Sequence, residues 1–113
     1  MIFIKHKNVW YWGKSTIIVA EPGYGVVTVQ FEKGLSEATI VGLSVHELHR
    51  NMGYGTALLA EAEKEAKRHK KKSVVLYCDP NSWTTAWYER KGYKKIGTLN
   101  SEYTLNKMIK RFE

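Results

Sequence analysis

A glycine-bearing turn holds the residues of this sequence that are best suited to bind a phosphate, Arg50-Asn51-Met52-Gly53-Tyr54-Gly55-Thr56. It lies between Glu37 to Val45, rich in Ile, Val and Thr, and Thr56 to Lys70, which is built of strong helix formers. A helix N-terminus offers backbone N–H groups without partners and a partial positive charge, and glycine lets a phosphate approach the backbone closely. The order strand, glycine turn, helix therefore predicts a pyrophosphate site at this turn.

Two well-known nucleotide motifs do not fit the turn. The sequence has no GxxxxGK[ST] run, and Leu58 stands where the third glycine of G-x-G-x-x-G would be. Both absences argue against a mononucleotide hydrolase and against a dinucleotide-dependent dehydrogenase.

Cysteine and hydropathy patterns indicate the cell compartment. Cys78 is the one cysteine, and CxxC or Cys/His zinc spacing is missing, so we expect neither a disulfide nor a metal. No apolar stretch approaches the roughly 20 residues that a membrane helix needs, and Met1 to Trp10 lacks the apolar core of a signal peptide. We expect one domain, residues 1–113, located in the cytoplasm.

The positive charge is concentrated in one segment. The chain carries 18 Lys and Arg against 11 Asp and Glu, and Lys64 to Lys72 holds six of these cations with one Glu. One interpretation is an electropositive patch for nucleic acid. The other is a solvated helix end, whose cations complement the helix dipole and where Glu63 pairs with Lys67. We favour the second.

The order of elements predicts a mixed α/β (α+β) fold. A mostly antiparallel six- to seven-stranded sheet would carry two main helices, Thr56 to Lys70 and Trp83 to Arg90. Four antiparallel strands precede the first helix, because glycine turns separate them. The predicted strands are Ile2 to Lys5, Ser15 to Ala20, Val26 to Glu32, Glu37 to Val45, Val74 to Cys78, Lys94 to Leu99 and Tyr103 to Ile109.

Apolar spacing predicts how the helices pack. Leu58, Leu59, Ala62 and Ala66 form one narrow stripe on the first helix. The run Ser73 to Cys78 is almost wholly apolar, as in a central strand covered on both faces and reached by a helical crossover. For the second helix, we expect Asn81 or Ser82 as the N-cap and Gly92 just beyond the C-terminus.

Two blocks of this sequence resemble the GNAT superfamily of N-acetyltransferases. The first, Leu43-Ser44-Val45 followed by Arg50 to Leu59, is similar to the family's L-x-V strand end and its R/Q-x-x-G-x-G/A turn. The second, Asn81 to Tyr93, is similar to the family's N-x(6)-Y-E-x-x-G-[FY] segment. The resemblance covers roughly residues 15–99.

The resemblance implies a binding site for acetyl-CoA, without a metal. Its pyrophosphate would lie on the backbone amides from Asn51 to Thr56, with Arg50 offering a charge to the phosphates. Its pantetheine arm would lie between strands 37–45 and 73–78 and bond main chain near Leu43 and Val45. The Asn81 side chain would assist.

The resemblance also implies direct attack of a primary amine on the thioester. Tyr88 would donate a hydrogen bond to the departing sulfur, while Trp87 packs inward. Cys78 suggests an acyl-enzyme instead, but a free cysteine in an apolar strand is usually inert core. We therefore favour direct transfer.

The general base is less defined. Where the histone-modifying branch of the family has a Glu, this chain has Thr39. Glu37 lies two residues earlier and, by strand alternation, on the same face, so it is our candidate base, acting through a water. A solvated carboxylate explains Glu37 equally well. His46 and His49 flank the turn, but nothing in the spacing favours them over surface histidines.

The acceptor side lacks a family feature. Members usually carry two helices between their first two strands, and here only His6 to Lys14 is available, too short for both. The acceptor site is then open or completed by another chain, such as a second copy in a homodimer. The acceptor is a protein lysine, an N-terminus or a small amine. Two alternatives to the enzyme are a CoA-binding module without turnover and a basic nucleic-acid binder.

Overall fold

A seven-stranded mixed sheet organises this chain. The computed structural model describes residues 4–11, 14–21 and 23–112. The strand order is β1-β2-β3-β4-β5-β7-β6, and among the described strands only β4 and β5 pair in parallel. The predicted fold class is confirmed. The elements are β1 Ile4–Tyr11, β2 Lys14–Glu21, β3 Gly25–Glu32, β4 Glu37–Val45, a 3-10 turn Glu47–His49, α1 Tyr54–Arg68, β5 Ser73–Cys78, α2 Thr84–Arg90, β6 Lys94–Asn100 and β7 Thr104–Arg111.

The first strand differs from the prediction. The segment His6–Tyr11, interpreted as part of a connection, belongs to β1, which pairs antiparallel with β2. The consecutive polar residues Lys5 to Asn8 gave no sequence signal for a strand, because a half-buried strand is recognised by apolar residues at every second position. Met1 to Phe3, Trp12 and Gly13 lie outside the described residues.

The first helix begins and ends two residues earlier than predicted. Gly53, in the left-handed conformation with φ 85°, is its N-cap. At the other end Lys70 also adopts a left-handed conformation, with φ 59°, and the Lys71 N–H bonds the Ala66 carbonyl at 3.0 Å. This is the hydrogen-bond pattern of a Schellman motif. A lysine takes the position that glycine usually fills, so the sequence carried no visible stop signal.

The second helix ends as its glycine predicted. Gly92 has φ 96°, its N–H bonds the Glu89 carbonyl, and the Tyr93 N–H bonds the Tyr88 carbonyl at 3.1 Å. This Schellman motif places Tyr93 against the ring of Tyr88. At the N-terminus, Ser82 Oγ accepts the Thr84 N–H at 3.1 Å, although the N-cap position itself falls on Trp83.

Both helices lie on one face of the sheet. The predicted stripe of α1 is buried in a core that also contains Val74, Leu76, Cys78, Tyr88 and Tyr93. Side chains on the opposite face alternate with these. On that face Val75 is 2% exposed, as expected for a strand covered on both faces, whereas Tyr77, near the end of β5, is 40% exposed and departs from that expectation.

Candidate active site

The two parallel strands part in the middle of the sheet. β4 and β5 pair from Glu37 and Ser73 as far as Ile40 and Leu76, and beyond these residues the ladder stops although both strands continue. The bulge responsible lies on β4. Ile40 pairs with Val29 and Gly42 with Thr28, which leaves Val41 as an extra residue. A bulge bends its strand and strengthens the local twist, so β4 turns away from β5 at this point.

A cleft opens where the strands part. Its volume is about 220 Å³. One wall is β4, from Ile40 to Leu43, another is the end of β5, from Leu76 to Cys78, and α2 contributes Thr84 and Tyr88. Backbone amides and carbonyls of the unpaired strand ends therefore face a narrow channel. An extended chain with amide groups matches such a channel, because it can replace the missing ladder bonds.

The glycine turn lies at the same end of β4. Asn51 and Gly53 both have positive φ, 63° and 85°, and no side chain caps the N-terminus of α1. The first acidic side chain lies beyond the first helical turn, whereas Lys67 and Arg68 occupy the last turn. Consecutive N–H groups in such a conformation, at a positive helix end, form a concave site for an anion.

The two glycines of this turn differ in what the backbone requires. Gly53 needs its left-handed backbone, and a Cβ there would meet no atom within 4 Å. A Cβ on Gly55 would lie 3.4 Å from the Trp87 ring and 3.6 Å from Val45, which are ordinary van der Waals distances, so packing within the protein does not require glycine at this position. Arg50 donates from Nε to the Val45 carbonyl at 3.3 Å, which closes the turn onto the end of β4.

For Gly53→Ala we expect a modest loss of stability without a steric clash. A left-handed backbone costs a residue with a Cβ about 1 to 2 kcal/mol. Urea denaturation measures the change in the free energy of unfolding. A loss above about 3 kcal/mol would contradict the conformation assigned to Gly53.

Tyr88 forms the wall of the cleft that α2 provides. It is 8% exposed, and the rings of Trp87 and Tyr93 pack edge-on against it. Burial, and to a lesser extent the nearby Cys78 thiol, raise the pKa of the Tyr88 phenol to about 12. The phenol therefore stays protonated at neutral pH and acts as a hydrogen-bond donor, not as a base.

Sequence reasoning missed a polar network beneath α2. The Thr85 hydroxyl lies 3.2 Å from the Asp79 carbonyl, 3.3 Å from the Cys78 sulfur and 3.2 Å from the Asn106 side-chain amide. Cys78 and Asn106 are register partners on β5 and β7. A contact between residues so far apart in sequence leaves no local signal. Cys78 is buried, as expected for core.

The remaining predicted residues lie around the cleft at different distances. Leu43 lines it, and Val45 packs against the core behind the glycine turn. Glu37 lies in the paired part of β4, three residues or roughly 10 Å before Ile40, and is not among the lining residues. Asn81 is exposed in the loop before α2, where its backbone N–H bonds Asp79 Oδ1 at 2.8 Å.

Two histidines flank the glycine turn. His46 Nδ1 accepts the Leu48 N–H at 3.2 Å, and the His46 N–H bonds the Tyr24 carbonyl. His46 thus caps the short 3-10 turn. The side chain of His49 lies outside the described part of the structure. Met52, Tyr54 and Thr56 belong to the turn and to the first turn of α1, where the ring of Tyr54 stacks on Tyr24 with centroids 4.7 Å apart.

Most cations of the basic segment contact other parts of the protein. Lys64 pairs with Glu61 and Arg68 with Glu65, while Lys67 lies over the Phe112 ring and Lys71 donates to two carbonyls. The predicted pair of Glu63 with Lys67 is wrong. Glu63 instead binds Lys110 on β7 and the Tyr93 hydroxyl, because both reach α1 across the core face. These contacts favour the helix-end interpretation over a nucleic-acid surface.

The described residues contain neither a candidate membrane-spanning helix nor a candidate metal site. No helix among them has the length and apolar character to cross a membrane. Within the same residues, no three His, Cys, Asp or Glu side chains are grouped so that they could hold a metal ion.

Comparison with known proteins identifies the family. The family model of the acetyltransferase (GNAT) domain matches residues 12–95. The chain belongs to this family. GNAT membership supports acyl or acetyl transfer as its general class of activity, and the bulged β4, the glycine turn and Tyr88 lie within the matched residues. No curated protein matches the sequence.

Solved structures share the GNAT fold with this chain. Nourseothricin acetyltransferase superposes with a TM-score of 0.74 at 20% identity, over 88% of this chain and 66% of that one. PaiA N-acetyltransferase from Thermoplasma acidophilum, in complex with coenzyme A, superposes with a TM-score of 0.72 at 21% identity, over 88% of this chain and 62% of that one. A Bacillus subtilis acetyltransferase in complex with CoA superposes with a TM-score of 0.73 at 12% identity, over 89% of this chain and 78% of that one. The chain spans about two thirds of the length of the first two proteins.

Proposed function

We propose that this chain is an N-acetyltransferase that binds acetyl-CoA and transfers its acetyl group to a primary amine by direct attack. One observation carries the proposal: β4 and β5 part at the Val41 bulge, Tyr88 lines the resulting cleft, and the uncapped N-terminus of α1 follows the same end of β4. An anion site, a channel for an amide-bearing chain and a protonated phenol thus lie near the same end of β4. Acetyl-CoA has a pyrophosphate, a pantetheine arm and a thioester in the matching order.

The turn would hold the pyrophosphate. Backbone amides from Asn51 to Thr56 would bind its oxygens, and Arg50 would add a charge, with its Nε bond to Val45 keeping the guanidinium at the turn. The pantetheine amides would bond the unpaired main chain near Leu43 and Val45. Asn81, at the start of the α2 segment, would contact the arm from the other side.

The chemistry requires a neutral amine. A lysine-like amine with a pKa near 10.4 is almost fully protonated at pH 7, so one proton must leave before attack. The neutral amine nitrogen then forms a bond to the thioester carbon. As the tetrahedral intermediate collapses, the nitrogen loses its second proton, the carbon–sulfur bond breaks, and the departing thiolate takes up a proton to give the free thiol of CoA. Tyr88 would donate its hydrogen bond to the sulfur, where the negative charge develops.

Glu37 is our candidate for removing the amine proton, through at least one water. It is separated from the cleft by the paired part of β4, so a single direct contact with the amine does not fit its position. An open acceptor side is consistent with a water molecule that carries the proton from the amine to Glu37. We propose either a small amine or an amine on a protein as the acceptor, since Tyr77, which lines the cleft, is 40% exposed. The whole chain, residues 1–113, would act as one domain.

Thermal unfolding with and without acetyl-CoA tests the binding half of this proposal. A ligand present at a hundred times its dissociation constant stabilises the native state by about 2.7 kcal/mol. For a domain of this size we expect the midpoint to rise by roughly 10 to 15 °C. ATP at the same concentration is the control for a general phosphate effect. No rise with acetyl-CoA, or an equal rise with ATP, would contradict the proposed cofactor.

A further inference from the structure

The polar network beneath α2 ties three elements together. Thr85 lies in the first turn of α2, Asp79 follows the end of β5, and Asn106 lies on β7. The Thr85 hydroxyl contacts both of them at 3.2 Å and the Cys78 sulfur at 3.3 Å. One hydroxyl therefore joins the start of the helix to two strands of the sheet.

The directions of these hydrogen bonds follow from proton counting. A threonine hydroxyl has one proton, and a backbone carbonyl can only accept, so Thr85 donates to Asp79. Thr85 must then accept from both other partners, the Cys78 thiol and the Asn106 NH₂ group. If the Asn106 amide were flipped, its oxygen would face the Thr85 hydroxyl, whose single proton is already donated to the Asp79 carbonyl. The orientation of the amide is thus determined by the network.

This orientation leaves one polar atom unsatisfied. Asn106 is 4% exposed, and its Oδ1 has no hydrogen-bond partner among the described residues. A buried acceptor without a partner destabilises the folded state, and an apolar side chain of similar shape would avoid that cost. Folding stability alone therefore does not explain an asparagine at this position.

We propose that Asn106 is a positioning residue for Tyr88 and acts through Thr85; the inference rests on the proposed acetyl transfer. Thr85 and Tyr88 are three residues apart on α2, and therefore on neighbouring turns of one side of the helix. Because the hydrogen bonds of Thr85 hold it against β5 and β7, they also fix the position and rotation of α2 beside the cleft. A displacement of about 1 Å in a catalytic group can lower a rate by about a hundredfold.

Asn106→Leu separates this role from a structural one. We expect the urea midpoint to stay equal to that of the wild type or to rise, because the unsatisfied oxygen is removed. We expect kcat for acetyl transfer to fall about tenfold, with the KM for acetyl-CoA within about twofold of wild type. Loss of a merely structural asparagine would instead lower stability and leave kcat per folded molecule unchanged.

Two further variants make the test specific. Met108→Leu changes the next core-facing position of β7, which is fully buried, and should leave kcat unchanged. Thr85→Val should lower kcat by a factor similar to that of Asn106→Leu. The double variant should be no slower than either single variant, because both substitutions remove the same hydrogen bond between Asn106 and Thr85.

Three results would overturn the inference. They are an unchanged kcat in Asn106→Leu, a fall of equal size in Met108→Leu, and multiplicative losses in the double variant. In each of these cases wild-type transfer would keep the proposed function intact. A wild-type protein that binds acetyl-CoA but transfers no acetyl group would end the proposed function and this inference together.

Discussion

Tyr88→Phe is expected to lower kcat about a hundredfold and to leave the KM for acetyl-CoA nearly unchanged. The pKa of the Tyr88 phenol is raised to about 12, so the phenol stays protonated. Because Tyr88 lines the cleft together with Cys78, the phenol can donate a hydrogen bond to the departing sulfur. A donor to charge that develops in the transition state typically contributes about two to three orders of magnitude in rate. Steady-state kinetics by thiol release measures both constants.

Tyr93→Phe is the matched control for this variant. Tyr93 lies against the Tyr88 ring and is buried as well, but its hydroxyl donates to Glu63 Oε2 at 2.8 Å, on the side of α1. Loss of a hydrogen bond to a charged group should cost about 2 kcal/mol of stability and leave kcat unchanged. A Tyr88→Phe enzyme with wild-type turnover would remove Tyr88 from the mechanism.

Deletion of Val41 is expected to abolish acetyl-CoA binding in a protein that still folds. The core positions Ala38 and Ile40 before the bulge and Leu43 and Val45 after it regain a regular alternation when Val41 is removed. All remaining side chains of β4 therefore stay on the sheet face that they occupy in the wild type, and the ladder of hydrogen bonds with β3 becomes continuous. A strand without the bulge loses the bend that parts it from β5.

The measurement for this deletion is thermal unfolding with acetyl-CoA. We expect the rise of roughly 10 to 15 °C to fall below about 2 °C, while the unfolding midpoint without ligand stays within a few degrees of wild type. Val41→Thr, which keeps the extra residue and a β-branched side chain, should retain the full rise. Wild-type binding by the deletion variant would show that the bulge does not create the site.

Local sequence signals predicted much of the fold. The glycine turn, the stripe of α1 and Gly92 each depend on residues within one or two turns of chain, where spacing alone carries the information. Each of them agrees with the structure. The end of α1 at Arg68, where Lys70 takes the left-handed position, and the part of β1 from His6 to Tyr11 were missed, because their residues disagree with the usual preferences for those conformations.

Features that depend on distant pairing could not be predicted. The Val41 bulge is defined by the register of β4 against β3, and the partners of Glu63 reach it from β7 and from the residue after Gly92. The same is true of Asn106 and Thr85. Tyr88 was selected only through the family's second block, since an isolated tyrosine carries no chemical signal in sequence.

The most direct test of the account is acetyl transfer itself. Thiol release from acetyl-CoA would be followed with and without a panel of primary amines that includes free lysine, polyamines and peptides with free N-termini, and mass spectrometry would identify the acetylated product. We expect release that saturates with one of these amines and is about a hundredfold slower in Tyr88→Phe. Saturable binding of acetyl-CoA without amine-dependent release from any member of the panel would contradict this expectation and would identify a CoA-binding module instead.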